Sequence, residues 1–185
     1  MIGYALTGSF CTVRRSLAAM RALAMRGEEI QPFFSERVFS TDTRFYKASD
    51  LIRDVEDICG RSVVHTVEDA EPYGPHPLDA LIIAPCTGNT LSKIARGITD
   101  GAVTMVAKAH LRTDGRILLA PASNDLISQN LSSLATLVTH RSVYILPMLQ
   151  DDPIKKPYSL ISEMERIVEG YDAMMRGERL RPIFK

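Results

Sequence analysis

The 185-residue chain has no excess of charge of either sign, because 22 Lys and Arg balance 22 Asp and Glu. A neutral chain gains little from releasing counterions on a polyanion, so no nucleic-acid partner is expected. Cysteine is scarce, and the three present, Cys11, Cys59 and Cys86, are odd in number and widely spaced. They make neither a disulfide framework nor a zinc-ligand pattern, which excludes a metal site of that kind and points to a reducing cytoplasm. No apolar run approaches the roughly 18 residues that span a bilayer. The first residues, Met1-Ile2-Gly3-Tyr4-Ala5-Leu6, have no basic n-region and read as a strand, so neither a membrane anchor nor an export signal is expected. The usual dinucleotide and nucleoside-triphosphate fingerprints, Gly-x-Gly-x-x-Gly and Gly-Lys-Ser/Thr, are absent as well.

What is present is a globular composition, 45% hydrophobic and 24% charged, in a length that suits one domain over residues 1–185. Ile2 to Leu6 is a short apolar run closed by Thr7-Gly8-Ser9. Val13, Leu17, Met20 and Ala24 follow at helical spacing up to Gly27, and Ile30 to Phe34 reads as a second strand. This β-turn-α-β unit favours a parallel sheet with right-handed crossovers. Ser35 to Lys47 reads as a loop, and a helix from Ser49 or Asp50 stops at Gly60. A short strand over Ser62 to Val67 precedes an irregular Pro-rich connection, Glu71 to Pro77.

Leu78 to Ala84 is the clearest buried strand, followed by helices over Asn89 to Gly97 and Gly101 to Arg112. Ile117 to Ala120 reads as a strand closing at Pro121, then come a helix through Leu131, Leu134 and Leu137 and a strand over Val143 to Leu146. Gln150 to Pro157 is a polar loop, and a last amphipathic helix is predicted from Ser159 to Met175. Strands and helices alternate throughout, which predicts a three-layer, doubly wound α/β sheet of the Rossmann or flavodoxin kind.

In such sheets ligands bind beyond the carboxyl ends of the strands. Three strand ends share small, polar residues: Thr7-Gly8-Ser9, Ser35, and Cys86-Thr87-Gly88-Asn89-Thr90. Backbone N–H groups, short hydroxyls and helix amino termini are what a phosphate needs, and glycine lets the backbone come close. Each of these signals has a bland reading as an ordinary strand–helix turn; the six-residue run from Pro85 to Thr90 is the more specific. Cys86 reads either as a thiol activated by the following helix or as a small packing residue.

Ala84-Pro85-Cys86-Thr87-Gly88-Asn89-Thr90, with Lys93-Ile94-Ala95-Arg96-Gly97-Ile98-Thr99-Asp100 behind it, resembles a signature of the flavoprotein family that includes the homo-oligomeric flavin-containing cysteine decarboxylases. Pro121-Ala122-Ser123-Asn124 resembles that family's second motif. The resemblance implies an FMN site in which Gly8, Ser9, Ser35, Cys86, Thr87, Gly88, Asn89, Thr90, Pro121, Ser123 and Asn124 hold the cofactor. Thr41-Asp42-Thr43-Arg44-Phe45, Ala107 to Arg112 and Gln150-Asp151-Asp152-Pro153 narrow the likeness to one branch, the B subunits of dipicolinate synthases.

That branch implies an oxidoreductase component in the mother cell of a spore-forming bacterium, working on a dihydrodipicolinate-type dicarboxylate. It also implies a homo-oligomer and a partner chain, the A subunit of dipicolinate synthase, which is similar to NAD(P)-dependent dehydrogenases. The alternative is a non-catalytic companion of that dehydrogenase-like chain, with a vestigial flavin site. His76 and His65 lie at the wrong distance for the decarboxylases' histidine, so no catalytic residue is assigned. Arg44, then Lys108 and Arg112 one helical turn apart, are the expected anchors for the substrate carboxylates. Lys155 and Lys156 are candidates for contact with the dehydrogenase-like chain.

Overall fold

The computed structural model describes residues 1–76 and 78–185; of the predicted Pro-rich connection, Pro77 lies outside the described residues. Alternation along the strands explains the layers. In β1 (Ile2–Leu6), the side chains of Ile2, Tyr4 and Leu6 enter one core, while Ala5 enters the other. The same split recurs in β3 (Leu81–Thr87) and β4 (Ile117–Ser123), where Ile82 and Leu118 face one way and Ile83 and Leu119 the other. Helices α1 (Val13–Met25), α3 (Ala48–Cys59) and α8 (Ile167–Met175) cover the first face. Helices α5 (Gly88–Arg96), α6 (Ala102–Arg112) and α7 (Leu131–Val138) cover the second. The short helices α2 (Glu36–Ser40) and α4 (Val67–Ala70) complete the set.

With β2 (Ile30–Phe34) and β5 (Val143–Ile145), the parallel strands run in the order β2-β1-β3-β4-β5. Two short strands, β6 (Met148–Leu149) and β7 (Leu160–Ser162), extend this sheet, with β7 antiparallel to both β6 and the end of β4. The predicted α/β fold is therefore present, with an antiparallel addition at one edge. Among the described residues no helix is long and apolar enough to cross a membrane.

Several boundaries move, each for a tertiary reason. The last helix starts at Ile167, not Ser159, because Leu160 and Ile161 pair with Ser123 and Ala122 and are drawn into the sheet. The stretch read as a loop after Ser35 contains α2, anchored by the fully buried Val38. Ser62 to Val67 is no strand; Val64 makes only a single bridge to Phe33. Strands β3 and β4 run on to Thr87 and Ser123, because Cys86 pairs with Pro121 and Thr87 with Ala122 beyond a register shift.

His110 is 2% exposed on α6, with Nε2 3.1 Å from the Arg116 carbonyl. That bond requires the neutral tautomer to donate from Nε2. Burial holds the imidazole below its ordinary pKa. The folded state thus resists protonation that the unfolded chain accepts near its ordinary value of about 6.5. Stability is expected to be level above that pH and to fall as pH drops from there through the lower folded value. Urea unfolding between pH 5 and 8 checks this; a His110→Gln chain should lose part of the decline.

Candidate functional site

The carboxyl ends of β1, β2 and β3 open on one cavity of about 450 Å³. Its wall includes Gly8, Ser35, Thr87, Asn89 and Thr90 from the predicted set, together with Glu36, Arg37, Lys93, Asp100, Gly101, Val103 and Thr104. Thr7 ties two of the strand ends together: its Oγ1 donates to the Pro85 carbonyl and accepts the Thr87 N–H, both at 2.9 Å. Thr87 then caps α5, accepting the Thr90 N–H at 3.3 Å. That leaves the N–H groups of Gly88 and Asn89, in the first turn, without intrahelical acceptors. The N-cap of α6, Gly101, has no side-chain cap and lines the cavity with Val103 and Thr104, so the uncapped start of a second helix borders it.

Ser35 bears most directly on what the cavity can hold. Its Oγ is buried and has no hydrogen-bond partner among the described residues. An unmade bond on a buried hydroxyl costs about 1–3 kcal/mol, and a phosphate oxygen would satisfy it. The hydroxyls of Tyr46 and Ser162 are also buried and unpartnered, but neither lines the cavity. At Gly8 a Cβ would meet only the Arg37 Cγ at 3.5 Å and the Phe10 ring at 3.7 Å, so the backbone there is open to an approaching ligand. These residues fit the phosphate-bearing end of a cofactor.

The remaining predicted residues are not among those that line the cavity. Cys86 is fully buried among apolar side chains, and burial pushes its thiol up to about 12. This is the packing reading, and desolvation outweighs any helix effect. Gly88 is filled from the protein side: a Cβ there would sit 2.0 Å from the Asn130 Oδ1 and 2.6 Å from the Ser123 Oγ. Ser123 in turn bonds to Asn130 at 3.0 Å and caps the Asp125 N–H. Ser9, Pro121, Ser123 and Asn124 do not line the cavity.

The substrate anchors are not gathered at the cavity. Arg44 lies 4.8 Å over the Phe45 ring in its own loop. Lys108 and Arg112 line a separate hollow of about 510 Å³ with Glu68, Glu71 and Met105. From Thr104, at the cavity, Arg112 is eight residues along α6, about 12 Å at 1.5 Å per residue.

Sequence reasoning misses Arg37, since it reads α2 as loop. Lys93 and Asp100 stand within a recognised motif but receive no role from it. Their pairing at 2.6 Å follows from the tight turn after Gly97, and it holds the Asp100 carboxyl below its usual range. Among the lining residues there is no histidine, and Glu36 is the carboxylate without a cation partner.

A family model described as Flavoprotein matches residues 1–175. The chain is 36% identical over 183 residues to the B subunit of dipicolinate synthase of Bacillus subtilis strain 168, covering 98% of this chain and 92% of that one. The crystal structure of the corresponding B subunit from Bacillus halodurans C is similar at a TM-score of 0.90 and 37% identity, over 100% of this chain and 95% of that chain. An FMN-dependent cysteine decarboxylase shares the fold at a TM-score of 0.68 and 20% identity, over 95% of each chain.

Proposed function

The chain belongs to the flavoprotein family, and on that footing we propose that it is the FMN-holding component of a two-chain oxidoreductase that converts a dihydrodipicolinate-type ring to dipicolinate. The buried, unpartnered Ser35 Oγ at the cavity wall carries the cofactor part of this reading. Ser35 would donate to the phosphate, Gly8 would admit it to the strand end, and the first amides of α5 would complete its shell. Thr87 and Thr90, bonded to each other at 3.1 Å, hold that helix end in place. When bound, FMN supplies a two-electron acceptor suited to hydride removal.

Aromatising the dihydropyridine removes one hydride and one proton. This chain offers little for the proton. Asp100 is engaged by Lys93, which leaves Glu36 as the free carboxylate of the wall. A proton acceptor contributed by a dehydrogenase-like partner chain, which would also carry NAD(P), answers that shortage. The protein would work in the mother cell of a spore-forming bacterium, as a homo-oligomer with Lys155 and Lys156 toward its partner.

The same shortage favours a second reading, in which the chain completes the dehydrogenase-like partner without chemistry of its own. Reconstitution separates the two. With FMN rigorously removed, a mixture of the two chains is expected to lose dipicolinate formation, followed by ultraviolet absorbance, and to regain it when FMN is returned. Full turnover without FMN would leave the second reading, and no FMN uptake at high micromolar concentration in equilibrium dialysis would end the first.

A further inference from the structure

We infer that Arg37 is the counter-ion of the cofactor's phosphate, a binding residue of this chain that clamps the phosphate over Gly8. This rests on the FMN reading above and deepens it. The cavity has two cations in its wall, and they are not equivalent. Lys93 is bonded to Asp100 at 2.6 Å, so its charge is already met. Arg37 forms no ion pair or hydrogen bond among the described residues, and its guanidinium is on an exposed side chain.

Its position is set by the fold. Arg37 stands two residues beyond Ser35, whose buried Oγ lacks a partner, and its Cγ lies 3.5 Å from where a Gly8 Cβ would be. The aliphatic stem therefore lies beside Gly8 at the end of β1. Arg37 lines the same cavity as Ser35 and Gly8, within the length of its side chain for the fork to meet a ligand there. A phosphate brings two charges into a cleft that supplies neutral donors from Ser35 and the backbone. A planar guanidinium meets such a group with paired N–H bonds. Glu36 is adjacent in sequence, but successive residues of a helix point in different directions, and no Arg37–Glu36 ion pair forms among the described residues.

The test compares FMN with riboflavin, which lacks the phosphate, by quenching of flavin fluorescence. Arg37→Ala is expected to weaken FMN binding roughly tenfold and to leave riboflavin unchanged. The salt dependence of FMN binding should become shallower than in the wild type. Arg37→Lys, which keeps the charge and loses the fork, should fall between. Arg37 is exposed, so folding is not at issue; melting curves of both variants confirm it.

If Arg37→Ala binds FMN as tightly as the wild type, with the same salt dependence, Arg37 is no clamp and the flavin reading survives. If the wild type takes up no FMN yet is stabilised by inorganic phosphate, and Arg37→Ala loses that stabilisation, the flavin reading fails and Arg37 remains an anion ligand. A wild type indifferent to both probes overturns the two together.

Discussion

A Gly8→Val chain is expected to bind FMN about 100-fold more weakly than the wild type, a loss of about 2.8 kcal/mol at about 1.4 kcal/mol per decade, while its melting temperature stays within a few degrees. The two halves of this result have separate causes. Gly8 lacks a positive φ, so a branched side chain meets no backbone penalty there. A first carbon would make ordinary contacts with Arg37 and Phe10, and the fold has room for it. The rest of the valine would extend into the cavity at the mouth of β1, where the phosphate is placed in our reading. Fluorescence titration with FMN, beside thermal melting, measures both. Unchanged FMN affinity in a folded Gly8→Val chain would remove Gly8 from the site.

Gly88→Ala should behave in the opposite way. Its Cβ would stand 2.0 Å from the Asn130 Oδ1 and 2.6 Å from the Ser123 Oγ. The Ser123 Oγ donates to the Asn130 Oδ1 at 3.0 Å and accepts the Asp125 N–H, and the Asn130 Nδ2 donates to the Ser92 Oγ at 3.2 Å. The methyl group must displace this bonded cluster or push α5 away from β4. Overpacking of this kind costs about 3 kcal/mol, with the lost hydrogen bonds included. Urea denaturation should show a midpoint well below the wild type, and FMN binding should weaken only as the end of α5 shifts. A Gly88→Ala chain as stable as the wild type would mean that Asn130 rearranges freely. Paired with Asn130→Ala, the same substitution should recover part of the stability, because the clash is relieved.

These two glycines show how far the sequence can be read. Both stand at the end of a buried strand and before a helix, and that local pattern assigns both to the cofactor. Nothing near Gly88 in the chain announces Asn130, 42 positions later. The contact exists because β4 lies beside β3 and brings the loop before α7 over the start of α5. Arg37 escapes a reading of the sequence for a related reason. The stretch after Ser35 is short and polar, and its one helical anchor, Val38, is recognisable only once its burial is known. The substrate arginine expected in that stretch, Arg44, stacks instead on its neighbour Phe45.

The Pro85 to Thr90 run divides in the same way. Pattern alone locates it at a strand–helix junction facing the ligand edge of the sheet, and Thr87, Asn89 and Thr90 do line the cavity. Side-chain direction within the run is not legible, since a strand alternates its faces and the register shift near Cys86 resets the alternation. Cys86 consequently turns into the core, where its thiol is desolvated.

Local periodicity and short motifs were enough to establish the alternation of strands and helices, the family, and the strand ends that border the cavity. Each of these depends on residues close together in the chain. Which side chains reach the cavity is a different matter. That Arg37 and Lys93 stand there while Lys108 and Arg112 do not, and that Gly88 is packed rather than open, followed from the folded arrangement alone. Those outcomes rest on contacts between residues far apart in the chain, set by strand order and helix placement, and no local pattern encodes them.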